Sequence, residues 1–285
     1  MRVLFVSDFS LAQNSGGAQQ SNDIIIKAGR ERGHEITLHT CDSSYIDFLS
    51  HYDVLVSSNL EQINHYHPDK LKFILNHQHH VRYEHDSCLY FQPNRRQGIF
   101  ESAKLSFFST NFHISQFRKN YGNYFKNVKV VYEPINTSMF NDEGKEKIYD
   151  VIYCGYLHPL KGLGNLLDFA RDNTDRHISV FGWGENNIEE KFKDFSNIEF
   201  HGRKGQEDIA QILKQTRAIY HHPIVDEPFC RMIAEGLLCG VEEIIGSTDR
   251  IGAYLEFLNQ GKESFRKKCS SAVDIWWDNV EKSYE

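Results

Sequence analysis

Short apolar runs alternate with amphipathic stretches along the whole chain, the rhythm of strand–helix units that build a largely parallel sheet. The first run, Arg2–Ser7, leads through a polar loop into an amphipathic stretch from Gln19 to Arg32 that stops at Gly33, a residue suited to the position just past a helix. Further strands are predicted at Ile36–His39, Val54–Ser57, Phe73–Leu75, Leu105–Phe108 and Val128–Tyr132, with a helix over Ser115–Tyr121. Asn136 to Lys147 is polar, charged and without period, which predicts a linker. The rhythm then restarts, with strands at Val151–Cys154, Ile178–Phe181, Ile198–Phe200, Ala218–His221 and Glu243–Ile245 and with helices after Gly162, over Asp208–Gln215 and over Arg231–Leu238. The tail Ser271–Tyr284 is amphipathic and aromatic, and is expected to pack back across the domain junction. The predicted fold class is α/β, with two Rossmann-like doubly wound parallel-sheet domains over residues 1–142 and 143–262 and a C-terminal helix over 263–285 returning to the first.

Length agrees, since 285 residues suit two domains of roughly 140 each. With 40% hydrophobic and 25% charged residues the composition is globular, and 6 Pro with 19 Gly leave no room for a collagen-like or low-complexity chain. No run of about 18 apolar residues is present, and Asp8 interrupts the first apolar run too early for a signal peptide. The expected location is therefore cytoplasmic, with a peripheral seat at a membrane surface as an extension. Six cysteines without a CxxC pair read as reduced thiols rather than as a disulfide framework or a zinc site.

The net charge of -7 argues against a general nucleic-acid or membrane binder, but the charge is uneven. Between Arg95 and Lys129 seven cations, Arg95, Arg96, Arg118 and Lys119 among them, face the single acid Glu101 and are interleaved with Phe and Tyr. A solvated face over an ordinary core and a site for an anionic acceptor weigh about equally here. A second cluster, His65, His67, His77, His79, His80 and His85, lacks the acid and cysteine companions of a metal site, so one ligand-facing histidine is the better reading, with His77, His79 and His80 left open.

Ligands of doubly wound domains bind at the carboxyl ends of the strands, where helix N-termini attract anions. Two loops suit that role. Gly16-Gly17 precedes the first helix, but the spacing is wrong for a dinucleotide fingerprint and no acid ends the second strand, which argues against a dehydrogenase. Lys161-Gly162 sets a cation just ahead of a helix. A third element, Asp226-Glu227-Pro228-Phe229-Cys230-Arg231, is followed by Glu235 inside an apolar helix, where a carboxylate needs a hydrogen-bonding partner.

The order of these motifs resembles the retaining GT-B glycosyltransferases of the large nucleotide-sugar family 4, whose E-x7-E motif matches Glu227 to Glu235. The resemblance covers most of the chain and implies two domains facing a cleft, the first for the acceptor and the second for a nucleotide-diphosphate sugar. It implies that Glu235 holds the donor ribose, that Glu227 contacts the sugar or supports the loop that does, and that Lys161 neutralises the diphosphate. Backbone donors would come after Gly162 and from Phe229, Cys230 and Arg231; Gly16 and Gly17 would close on the diphosphate, and Gly182 and Gly184 on the base. His77 would stand near the reacting sugar. No cofactor and no metal are implied, and no obligatory protein partner is evident. The acceptor would be a glycan, a lipid-linked group or a nucleic acid on the basic first-domain face. Tyr156 stands where the family has Arg, and Arg231 is expected to restore that charge. A sugar-nucleotide epimerase or phosphorylase, and a non-catalytic sugar-nucleotide or nucleic-acid binding module, are the alternatives.

Overall fold

The computed structural model describes residues 1–43, 51–60, 68–86 and 93–285. The chain divides into two compact units, Met1–Pro134 with Lys268–Glu285, and Ile135–Lys267.

The first unit is a six-stranded parallel sheet in the order β2-β1-β3-β4-β5-β6. The strands are β1 (Arg2–Ser7), β2 (Glu35–His39), β3 (Val54–Ser58), β4 (His80–Glu84), β5 (Leu105–Phe108) and β6 (Val128–Val130). Between them lie helices α1 (Gly17–Glu31), α2 (Pro68–Leu75), α3 (Pro93–Ser102) and α4 (Asn111–Tyr121). Register places Val3 beside both Ile36 and Val54, so side chains of equal parity form continuous rows. One face carries Val3, Phe5, Val54, Val56, Val81 and Tyr83, and the other Leu4, Val6 and Leu55 against Ile74 and Ile99. Both faces are covered, as in a doubly wound sheet.

Two differences from the sequence reading share one cause. Phe73–Leu75 is the last turn of α2, not a strand: Leu71 and Ile74 pack as an i, i+3 pair against the core. The strand in this region is β4, which the apolar pattern hides because one of its faces carries His80, Arg82 and Glu84, all buried. His80 is held between Ser57 Oγ at 2.7 Å and Ser102 Oγ at 2.8 Å, and Arg82 donates to Glu84 at 2.5 Å. Hydrogen bonding replaces apolar contact inside a central strand.

The last helix, α10 (Ala272–Tyr284 in chain order, after those of the second unit), packs on α1. Trp276 and Trp277 are fully buried, and the Trp277 indole donates to Ile25 O at 2.9 Å. Gly29 leaves the room: a β-carbon there would stand 2.1 Å from the Trp277 ring. Arg32 pairs with Asp274 and Asp278 at the rim.

The second unit is a five-stranded parallel sheet ordered β11-β10-β7-β8-β9. Its strands are β7 (Tyr149–Leu157), β8 (Ile178–Gly184), β9 (Ile198–Gly202), β10 (Thr216–His221) and β11 (Glu243–Gly246). Its helices are α5 (Leu163–Asp172), α6 (Gln206–Lys214), α7 (Arg231–Leu238), α8 (Gly252–Gln260) and α9 (Lys262–Ser270). Residues 136–147 fold into this unit: Phe140 is buried, Lys147 donates to Gly240 O at 2.8 Å, and Lys214 meets Glu143 at 2.5 Å. Among the described residues no helix is long and apolar enough to cross a membrane.

Candidate functional site

In the second unit the carboxyl ends of β7 and β10 bring together the residues that the sequence singled out. Lys161 follows β7 in a short 3-10 turn, Pro159–Lys161, and Gly162 then reverses the chain at φ 84° to start α5. Only glycine fits that point, because a β-carbon would lie 2.0 Å from His222 O. The Lys161 ammonium reaches across to Glu227 Oε1 at 2.6 Å. Glu227 is fixed from behind, its N–H donating to Arg250 O and its carbonyl accepting from Gly252. Burial works to raise the Glu227 pKa, but Lys161 and His221 outweigh it and hold the carboxylate at about 2. His221, the last residue of β10, lies 3.7 Å from the same oxygen and 3.4 Å from Cys230 Sγ.

Cys230 caps α7 in a left-handed conformation, φ 67°, and no side chain closes that helix end. The N-termini of α1 and α5 also lack a side-chain cap. All three helices start at carboxyl ends of their sheets, where exposed N–H groups and helix dipoles favour an anion. One turn into α7, Glu235 accepts from Arg231 at 3.2 Å. Burial raises the Glu235 pKa and the Arg231 guanidinium opposes it. Arg231, expected to replace the charge absent at Tyr156, is paired here with Glu235 on its own helix.

Tyr156 is half-exposed and stacks on His158 with ring centroids 5.4 Å apart. Its register partner across β8 is Trp183, also half-exposed, over which Arg203 sits at 4.8 Å. A cation and three rings thus line one sheet end. Gly182 and Gly184 serve the strands themselves: β-carbons there would stand 2.1 Å from Gly155 O and 2.9 Å from Leu157 O. Phe229 is buried and stacked on Phe265, so it offers backbone rather than ring.

His221, Glu227 and Cys230 bring a nitrogen, an oxygen and a sulfur within 4.8 Å of one another, the one such group among the described residues. The cation already paired at this place is the Lys161 ammonium. His221 escaped the sequence reading, and its signal was modest: a polar residue closing an apolar strand.

The first unit corrects the histidine assignment. His77 precedes β4, and its Nε2 meets Tyr52 O, ahead of β3, at 3.1 Å. His79 packs edge-on against Tyr284, and His80 opens β4 with burial driving its pKa down to about 3. All three therefore lie at the amino end of the sheet, the wrong end for a ligand in this fold. At the carboxyl end of β4 stands His85, with Nδ1 2.9 Å from Glu133 and Nε2 3.0 Å from Asn22 Oδ1. Burial opposes its charged form, but Glu133 with Asp86 and Glu84 outweighs burial and raises its pKa. Asn22 also donates to Ser7 Oγ and Ser58 Oγ, which ties this end of three strands together. Gly16 and Gly17 open α1 at the same end. His65 and His67 lie outside the described residues.

The basic stretch divides. Phe100, Phe107, Phe108, Phe117 and Phe125 are buried core, which leaves Tyr124 as the exposed ring of this stretch and Phe112 and Tyr121 partly exposed. Arg118 and Lys119 occupy the last turn of α4, toward the amino end of the sheet. Arg95 and Arg96 are in the first turn of α3, after the carboxyl end of β4, and their side chains lie outside the described residues.

No protein-family model and no curated protein matches the chain. Solved structures do. Anabaena HepE in complex with UDP-glucose superposes with a TM-score of 0.68 at 15% identity, over 100% of this chain and 92% of the other. A glycosyltransferase from Rickettsia africae gives 0.68 at 13% identity, covering 100% and 98%. An alpha-glucosyltransferase in complex with UDP and a 13-mer DNA containing an HMU base gives 0.59 at 11%, covering 100% and 99%. The two Rossmann-like sheets described above are thus the fold of GT-B glycosyltransferases.

Proposed function

We propose that the chain is a glycosyltransferase that moves a sugar from a nucleotide-diphosphate sugar to a hydroxyl acceptor. The observation that carries this reading is the Lys161–Glu227 pair at 2.6 Å beside two uncapped helix N-termini, α5 and α7, at one sheet end. A diphosphate offers Lys161 a stronger partner than one carboxylate, and the helix ends add N–H groups that need no reorganisation. Released Glu227 then faces the sugar hydroxyls, and Glu235 the ribose. The half-exposed Tyr156 and Trp183, with Arg203 over the indole, form a platform on which a base stacks. The likeness to HepE, which binds UDP-glucose, favours a uridine donor.

Transfer proceeds in this reading with retention of configuration, the departing phosphate taking the acceptor proton, and with Lys161 and the helix dipoles stabilising its charge in place of a metal ion. His85, rather than His77, is the first-unit histidine at the ligand end; charged by Glu133, it orients the Asn22–Ser7–Ser58 network there. The acceptor is a hydroxylated molecule, with a glycan, a lipid-linked group and a hydroxylated DNA base as the classes to be distinguished.

A mass-spectrometric screen of nucleotide sugars for transfer and slow hydrolysis by pure protein, with and without chelator, tests the reading. Release of a nucleoside diphosphate from one donor, unchanged by chelator, is expected. Lys161→Ala should weaken binding of that diphosphate by about 1.5–3 kcal/mol, as loss of a charge-assisted contact does, measured by calorimetry. Binding of a nucleotide sugar without turnover on any acceptor pool would instead favour the non-catalytic binding module.

A further inference from the structure

We propose that His221, Glu227 and Cys230 form a three-ligand site for a zinc ion at the carboxyl end of β10, leaving the fourth coordination position to water. Their donor atoms, one nitrogen, one oxygen and one sulfur, all lie within 4.8 Å of one another. His221 Nε2 stands 3.4 Å from Cys230 Sγ and 3.7 Å from Glu227 Oε1. Zinc binds nitrogen and oxygen at about 2.1 Å and sulfur at about 2.3 Å, so the ligands of a tetrahedral ion are spaced by about 3.4–3.6 Å. Both measured edges are close to that spacing. As hydrogen bonds they serve less well, because one ring nitrogen faces two partners and 3.7 Å is beyond hydrogen-bond reach of the carboxylate. An ion at the common point satisfies all three.

The backbone holds the three donors in place before an ion arrives. His221 closes β10 in register with Gly246 of β11. Glu227 is bridged on both sides of its peptide to the segment ahead of α8, and Cys230 turns the chain at φ 67° into α7. His221 and Glu227 are buried, Cys230 is partly exposed, and the Lys161 side chain is 41% exposed, so an ion enters from the side of Lys161. That lysine is the group that gives way. Its ammonium, 2.6 Å from Glu227 Oε1, swings on a flexible stem into water and keeps its proton. The thiol proton passes to solvent as the sulfur–zinc bond forms.

The donor set selects the metal. Magnesium and calcium take six or more oxygens, whereas an imidazole, a thiolate and a carboxylate together suit zinc, with cobalt(II) as its coloured substitute. The other ring nitrogen of His221 has no hydrogen-bond partner. A ligating imidazole that lacks an outer partner binds its metal about 10–100-fold more weakly, so this site is built for reversible, micromolar binding rather than for a permanent structural ion. A bound ion takes Glu227 away from Lys161 and from any sugar hydroxyl, which makes zinc a reversible inhibitor of transfer. That consequence rests on the function proposed above; the binding itself does not.

The test is titration of the full chain with cobalt(II) alone, read by absorption, and then with zinc, read by calorimetry. One equivalent of cobalt(II) should bring up a thiolate-to-cobalt charge-transfer band in the near ultraviolet together with the visible bands of a tetrahedral ion, and zinc should bleach both. Cys230→Ser should abolish the charge-transfer band, while Cys41→Ser should leave it. His221→Asn should weaken zinc binding more than about tenfold, since even the loss of an outer partner costs that much. Lys161→Ala should tighten zinc binding several-fold, because no ammonium then competes for Glu227, a gain that a misfolded variant does not give. Absence of the thiolate band, a band that survives Cys230→Ser, or weaker binding in Lys161→Ala overturns the site. Zinc should also stop donor hydrolysis, and a chelator should restore it. Binding without inhibition keeps the metal site and removes its effect on the reaction; binding by a protein that turns over no donor keeps the site and counts against the proposed function.

Discussion

In the proposed site single residues are set by pairing rather than by exposure. Glu227 is the clearest case, a buried carboxylate that remains charged because Lys161 and His221 surround it. Its folded pKa of about 2 lies below the ordinary 4.5, so it stabilises the fold fully above pH 4.5, and that contribution disappears as pH falls toward 2. Glu227→Gln should therefore flatten the acid limb of a stability–pH curve between pH 4.5 and 2, followed by urea unfolding at several pH values; an unchanged limb would count against the ion pair. Trp183 gives a second residue-scale prediction. Of the three tryptophans, Trp276 and Trp277 are fully buried, which leaves Trp183 as the fluorophore at a ligand end. UDP should quench the emission, and Trp183→Ala should both abolish the quench and weaken binding by about 1–3 kcal/mol, the worth of one base–ring stack.

At the scale of elements, direction along a strand decides which candidates can act. A helix that follows a strand starts at that strand's carboxyl end and finishes at its amino end, so a helix's first turn faces ligands and its last turn does not. α4 illustrates this: Thr110 caps its start by accepting from the His113 N–H, whereas Arg118 and Lys119 stand in its last turn. The pair Arg118→Ala, Lys119→Ala should leave the transfer rate within about twofold, because screening weakens charges beyond about 10 Å. A larger fall, with a steep salt dependence, would return the basic face to the acceptor site. The same rule moves His77, His79 and His80 away from the ligand end and leaves His85 there.

The chain forms two compact units, and its last helix returns to the first. Ala272, Trp276, Trp277 and Val280 belong to the core built on β1, β3 and β4, far away in the sequence. Removing 268–285 should thus destabilise the first unit selectively. Losing even one of the two tryptophans costs about 3–5 kcal/mol on the scale of large-to-small core changes, comparable to a domain's whole stability. Limited proteolysis of the truncated chain is expected to digest the first unit and leave a resistant fragment near 135–267. Equal resistance of both units would show that the helix is dispensable.

How far the sequence reaches can be stated by mechanism. Where a strand is apolar and a helix keeps a 3.6-residue period, as in β1, β7, β10, α1 and α7, local patterning by itself determined type and place. The Lys161, Glu227 and Glu235 positions were legible because a charge in or beside an apolar run is conspicuous along the chain. β4 was not, since His80, Arg82 and Glu84 erase the apolar signal, and His80 pairs with Ser57 and Ser102 and Arg82 with Glu84 across and along the sheet. His221 beside Cys230, Arg231 turned to Glu235, and His85 in place of His77 were likewise decided by tertiary structure alone. Burial and pairing are properties of the assembled sheet, and no window of neighbouring residues contains them.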